Sequence, residues 1–125
     1  MIPIVINNLE EAKCLAQEVV TEAGEDFVYV RADGYCRYFA ADRKPDCLIG
    51  RMLARKGLKA KDLNEKEHGW YVRSLRSEAL GVLECDDRTM DFLAFLQMYQ
   101  DQGEPWGQVL RRALEACPAD EPDAG

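Results

Sequence analysis

The sequence predicts a mainly helical α+β domain with one β-hairpin and a C-terminal helical hairpin, on three observations. Apolar residues recur with a helical period near residues 9–23 and 88–102, each bounded by capping residues and a glycine. Two aromatic and β-branched runs, 27–31 and 35–39, flank Asp33-Gly34, the dipeptide best suited to a two-residue type I′ turn. The chain has 125 residues, of which 47% are apolar, enough to bury a core without metal or disulfide staples. A single globular domain over residues 1–117 is expected. The acidic segment 118–125 lacks large apolar groups and reads as a disordered tail.

Ile2, Ile4 and Ile6 alternate around Pro3 and Val5 as in a short strand, with Pro3 confined to an edge because it has no N–H to donate. Asn7 and Asn8 then offer capping oxygens, Glu10 and Glu11 suit the positive end of a helix dipole, and Gly24 suits a left-handed stop. The helix so bounded, over 9–23, carries Leu9, Ala12, Ala16, Val19, Val20 and Ala23 on one face, with Glu11, Glu18 and Glu22 away from it. The hairpin reading sets Tyr29 opposite Tyr38 and Arg31 opposite Cys36. Val28, Val30, Arg37 and Phe39 fall on the other face, and both faces are expected to be half-buried.

Asp46 is placed to cap a helix whose Leu48, Ile49, Met52 and Leu53 face inward and which Gly57 ends. Arg51 and Arg55, four apart, are expected on one exposed face of it. A short helix over 60–66 follows, before His68-Gly69. Residues 70–85 have no clear period, and Gly81 interrupts any helical count, so a mixed or extended segment is expected. Asp86 or Asp87 caps a nearly central helix over 88–102, with Met90, Phe92, Leu93, Phe95, Leu96 and Tyr99 on its broad apolar face. After Gly103, Pro105 at a first helical position opens the last helix, where Trp106, Val109, Leu110, Ala113, Leu114 and Cys117 share one arc.

Charge carries the functional reading. Sixteen Lys and Arg against 23 Asp and Glu leave a net charge of −7, yet residues 43–61 hold seven cations against Asp46 alone. That concentration points to a basic surface of Arg51, Arg55, Lys56, Lys59 and Lys61 able to dock an acidic protein partner. The bland reading is a solvated helix face balanced by acidic neighbours. No apolar run reaches the roughly 20 residues of a membrane span, and residues 1–6 do not form a signal peptide, so a cytoplasmic protein is expected.

Little points to catalysis, cofactor or metal. Five cysteines at positions 14, 36, 47, 85 and 117 show no paired zinc spacing and read as reduced thiols. His68 is the single histidine, and only Cys47, at a helix start, has a position that could activate a thiol. Neither a Walker-type nor a dinucleotide-binding glycine pattern occurs. A helix-turn-helix around Gly57, with Leu58 and Leu63 as its apolar positions, gives the alternative function of a DNA-binding regulator. Leu53 stands where that motif wants a small residue, Lys66 occupies a usually apolar position, and Asp62, Glu65 and Glu67 would face phosphate.

Two stretches, Pro45-Asp46-Cys47-Leu48-Ile49-Gly50-Arg51 with the following Leu53 and Gly57, and Gln100-Asp101-Gln102-Gly103-Glu104-Pro105-Trp106-Gly107, resemble small uncharacterised proteins of actinobacterial phages and prophages. Phe27-Val28-Tyr29 and Cys36-Arg37-Tyr38 are similar in the same way. The resemblance implies a non-catalytic accessory protein that acts by binding host or phage proteins. It carries over no functional residues, and Trp106 and Gly107 are turn and core residues in it.

Overall fold

Asparagine and glutamate act together at the start of the first helix. In the computed structural model, which describes residues 2–30, 37–64, 71–76 and 80–118, α1 spans Leu9–Ala23. Asn8 Oδ1 accepts from the Glu11 N–H at 2.8 Å, and the Glu11 carboxylate accepts from the Asn7 N–H at 2.7 Å. This reciprocal pair, a variant of the capping box, sets where the helix begins. Leu9, Ala12, Leu15, Ala16, Val19 and Val20 form its buried face, and the alanines on that face allow neighbouring elements to approach closely.

The strand expected near the N-terminus is present and short. β1 (Ile4–Val5) pairs in parallel with β2 (Leu83–Glu84), Ile4 beside Leu83 and Val5 beside Glu84. Ile4 and Ile6 are buried while Val5 between them is exposed, as the pleat requires; Ile2, which precedes the strand, is exposed as well.

Among the described residues the hairpin is not found. Its Asp33-Gly34 turn, and the proposed Arg31 and Cys36 pair, lie outside the described residues. Among the described residues, 27–30 and 37–39 share no ladder. Phe39 instead forms an isolated antiparallel bridge with Pro45. The two runs meet through side chains: Tyr29 Oη accepts from the Arg37 N–H at 3.2 Å and donates to Asp46 Oδ2 at 2.7 Å. Backbone bonds tie the first run to the last helix, with Phe27 O accepting from the Trp106 N–H and Glu25 O from the Gly107 N–H, both at 2.8 Å. Tyr29, Tyr38 and Phe39 are buried, whereas Val30 is 83% exposed rather than half-buried. Aromatic content marks burial here, and a phenol supplies a bond that a ladder would have made.

α2 (Leu48–Arg55) begins one residue later in its capping scheme than Asp46 suggested. Cys47 is the N-cap, its Sγ accepting from the Gly50 N–H at 3.4 Å. Asp46 is freed to receive Tyr29. The helix expected over 60–66 is reduced, among the described residues, to a 3-10 turn at Ala60–Asp62; residues 65–70 lie outside the described part. A second 3-10 turn, Val72–Arg76, precedes β2, which agrees with the mixed character of 70–85.

α3 (Asp87–Asp101) and α4 (Trp106–Ala116) form the expected helical hairpin. Asp86 caps α3 by accepting from the Thr89 N–H at 2.8 Å. Pro105 is the residue before α4 rather than its first position. Arg88 Nη2 donates to Pro118 O at 2.5 Å, so the start of α3 meets the end of α4 and the pair is antiparallel. Residues of every helix join one buried cluster. Two polar side chains of α3 lie within it: Gln100 Oε1 accepts from the Leu48 N–H at 2.7 Å, and Gln97 Oε1 accepts from the Val72 N–H at 2.8 Å. They serve backbone donors that enter the interior at element starts, where no helical partner exists.

Candidate binding groove

The loop before α2 and the segment after it face each other. Ala40 N–H donates to Lys44 O at 2.9 Å, Arg43 N–H to Ala40 O at 2.8 Å, and Asp42 Oδ1 accepts from the Lys44 N–H at 3.0 Å. This tight turn holds Arg43 at φ +69° and exposes its side chain. On the opposite wall Gly57, at φ +105°, turns the chain out of α2. Leu58 is buried, and the Lys59 N–H donates to Asp62 Oδ2 at 2.8 Å, leaving the Lys59 and Lys61 side chains exposed.

Between the walls lie two adjoining hollows of about 390 and 350 Å³ that share Arg43, Ala60 and Lys61. Phe39, Leu58, Ala60 and Leu63 supply apolar lining, and Arg37, Arg43, Lys59 and Lys61 supply positive charge. Among the described residues, the nearby carboxylates Asp42 and Asp62 accept from backbone N–H groups. Among the described residues, none of these four cations makes an ion pair. An apolar floor with an uncompensated basic rim can take an acidic chain that brings an apolar side chain with it.

The five cations singled out from the sequence divide into two groups. Lys59 and Lys61 stand on the groove. Arg55 does not: its guanidinium pairs with Glu22 at 2.5 Å and Glu18 at 3.5 Å across the α1 and α2 contact. Lys56 pairs with Glu11 at 2.7 Å, and that ammonium is the first cause holding the Glu11 carboxyl below its ordinary value. Arg51 is half-buried, not on an exposed face. Its Nε donates to Asp46 O at 2.9 Å, and its guanidinium carbon lies 5.2 Å from the Phe27 ring centre and 4.9 Å from that of Trp106. Two groove cations are not among those five: Arg43, which counts in the basic segment 43–61 but is not singled out, and Arg37, whose signal was obscured by its assignment to a hairpin face.

Other sequence candidates are placed as follows. Cys47 is fully buried with its sulfur occupied by the cap, and His68 lies outside the described residues. Burial first, and then the hydrogen bond to Asp46, raise the Tyr29 phenol well above its ordinary value, so it stays a donor. Among the described residues no His, Cys, Asp and Glu trio could hold a metal, and no helix is long and apolar enough to cross a membrane. From Gly57 to Asn64 the chain offers one 3-10 turn in place of the second helix of a helix-turn-helix. No family model matches the chain, and neither a curated protein nor a solved structure matches it.

Proposed function

We propose that this protein is a non-enzymatic, cytoplasmic interaction protein that docks an acidic protein partner in the groove of Arg37, Arg43, Lys59 and Lys61. The observation that carries the reading is the apolar floor under four cations that no described carboxylate neutralises. Such a rim steers an oppositely charged partner, and the floor supplies the desolvated contact that holds it. The resemblance to actinobacterial phage and prophage proteins favours an accessory protein acting on a host or phage partner.

The test compares wild type with the Lys59→Glu, Lys61→Glu double variant in capture from a bacterial host lysate, with Arg55→Gln as control. The expected result is an acidic protein retained by wild type and Arg55→Gln and lost from the reversed variant. Its association rate should fall about tenfold or more between about 50 and 500 mM salt. Equal capture by the reversed variant overturns the groove. Saturable binding of duplex DNA at about 50 mM salt, abolished by the same reversal, overturns the protein partner in favour of a DNA-binding regulator.

A further inference from the structure

We propose that the cleft between α1 and α2, on the other side of the loop holding Lys44 and Pro45, binds a small molecule bearing a carboxylate, with Arg51 as its receptor. The cleft has a volume of about 490 Å³, within the usual range for small-ligand sites. Val19, Pro45 and Ala54 supply its apolar walls, and Lys44, Arg51, Arg55 and Glu22 its charge.

These charges are not equivalent. Arg55 and Glu22 satisfy one another at 2.5 Å, so neither is free to select a ligand. Arg51 is held by other means: Nε donates to Asp46 O, and the guanidinium carbon stands over the Phe27 and Trp106 rings, 5.2 and 4.9 Å from their centres. Those two rings themselves meet edge to face at 4.6 Å. Among the described residues neither Nη group has a hydrogen-bond or ion-pair partner. A guanidinium held by cation–π contact with two rings and by one bond through Nε retains its terminal pair of donors for a ligand. That pair matches the two oxygens of a carboxylate. Lys44 is exposed at the rim and makes no ion pair among the described residues, so it adds a mobile second charge. The three apolar walls leave room for an aliphatic body attached to the carboxylate.

The cleft and the docking groove share Pro45 and Ala54, but the charged residues differ: Lys44 and Arg51 line only the cleft, and Arg43, Lys59 and Lys61 only the groove. Side-chain NMR of the Arg51 Nε–H group in the full chain tests it, with 4-methylpentanoate as probe, its uncharged amide as control and inorganic phosphate as the competing oxyanion. A saturable shift with the carboxylate and none with the amide is expected. Affinity should fall about tenfold in Arg51→Lys, which keeps the charge and loses the fork, and about threefold in Lys44→Gln. Lys44→Gln alters only an exposed side chain, so it remains informative if Arg51→Lys fails to fold. Lys59→Glu with Lys61→Glu should leave the carboxylate response intact. A shift that stays linear up to about 50 mM carboxylate, an equal response to the amide, stronger binding of phosphate, or wild-type affinity in Lys44→Gln would each overturn the proposal.

Discussion

Gly50→Ala offers the sharpest check on how α2 is seated. An alanine in a solvent-exposed helix normally gains about 1 kcal/mol over glycine. At position 50 the added Cβ would stand 2.0 Å from Tyr38 O and 2.7 Å from both the carbonyl carbon and Cα of the same residue. All three are backbone atoms, so no side chain can swing aside. Relieving the clash requires the loop and helix to part by about 1 Å, and over-packing of that kind costs about 1–3 kcal/mol. The same movement strains two bonds that bring the loop onto the helix start, Asp46 N–H to Tyr38 O at 2.9 Å and Cys47 N–H to Arg37 O at 3.0 Å. Each is worth about 1 kcal/mol net. After the propensity gain is subtracted, a loss of about 2–4 kcal/mol is expected, or a fall in Tm of roughly 8–15 °C for a chain of this size. Urea unfolding followed by far-UV circular dichroism, with a thermal scan beside it, measures both. A variant as stable as wild type, or more so, would refute the close approach of α2 to residue 38 and with it the placement of the groove wall that begins there.

Three further outcomes follow from the same contacts. Gln100→Leu should lose about 1–3 kcal/mol in urea unfolding, because the buried Leu48 N–H would keep no acceptor. Lys56→Met should cost about 0.5–1 kcal/mol at neutral pH. Glu11, whose ordinary value is 4.5, titrates lower in the folded chain, chiefly through Lys56. The pair's contribution is therefore full above that ordinary value and lost as pH falls through the folded one, so unfolding curves of variant and wild type should converge in acid. Arg55→Gln should change stability by less than about 1 kcal/mol, since its carboxylate partners are largely exposed, and high salt should shrink the difference further.

The helices were legible because period and punctuation agree: Asn8 and Gly24 bound α1, Asp86 and Gly103 bracket α3, and the buried faces fall where the apolar residues recur. Errors of one residue at Asp46 and Pro105 arose because a cap is chosen by geometry among adjacent candidates, and a thiol can serve where a neighbouring carboxylate has a better use. The run 27–30 misled for a different reason. Tyr29 and its neighbours satisfy the composition of a strand, but burial under helices rewards the same residues, and one-dimensional alternation does not distinguish the two. Gln97 and Gln100 were invisible as interior residues because what they bind, the N–H groups of Val72 and Leu48, is defined only once the elements meet.

The basic segment shows where counting charge along a chain fails. Glu11, Glu18 and Glu22 are spaced by seven and four, which places them along one side of α1. Arg55 and Lys56, at the end of α2, come to rest against that stripe and are consumed as packing contacts between two helices. Gly57 then turns the chain through a positive φ, so Lys59 and Lys61 leave the axis of α2 and pass beyond the reach of those glutamates. Arg43 precedes α2 on a turn whose own acid, Asp42, already accepts from a backbone N–H. The helix boundary therefore separates charge that joins the fold from charge still available to the proposed partner. By that logic, extending α2 with Gly57→Ala, where the glycine's φ of +105° is denied to alanine, should weaken partner capture without altering a single charged residue.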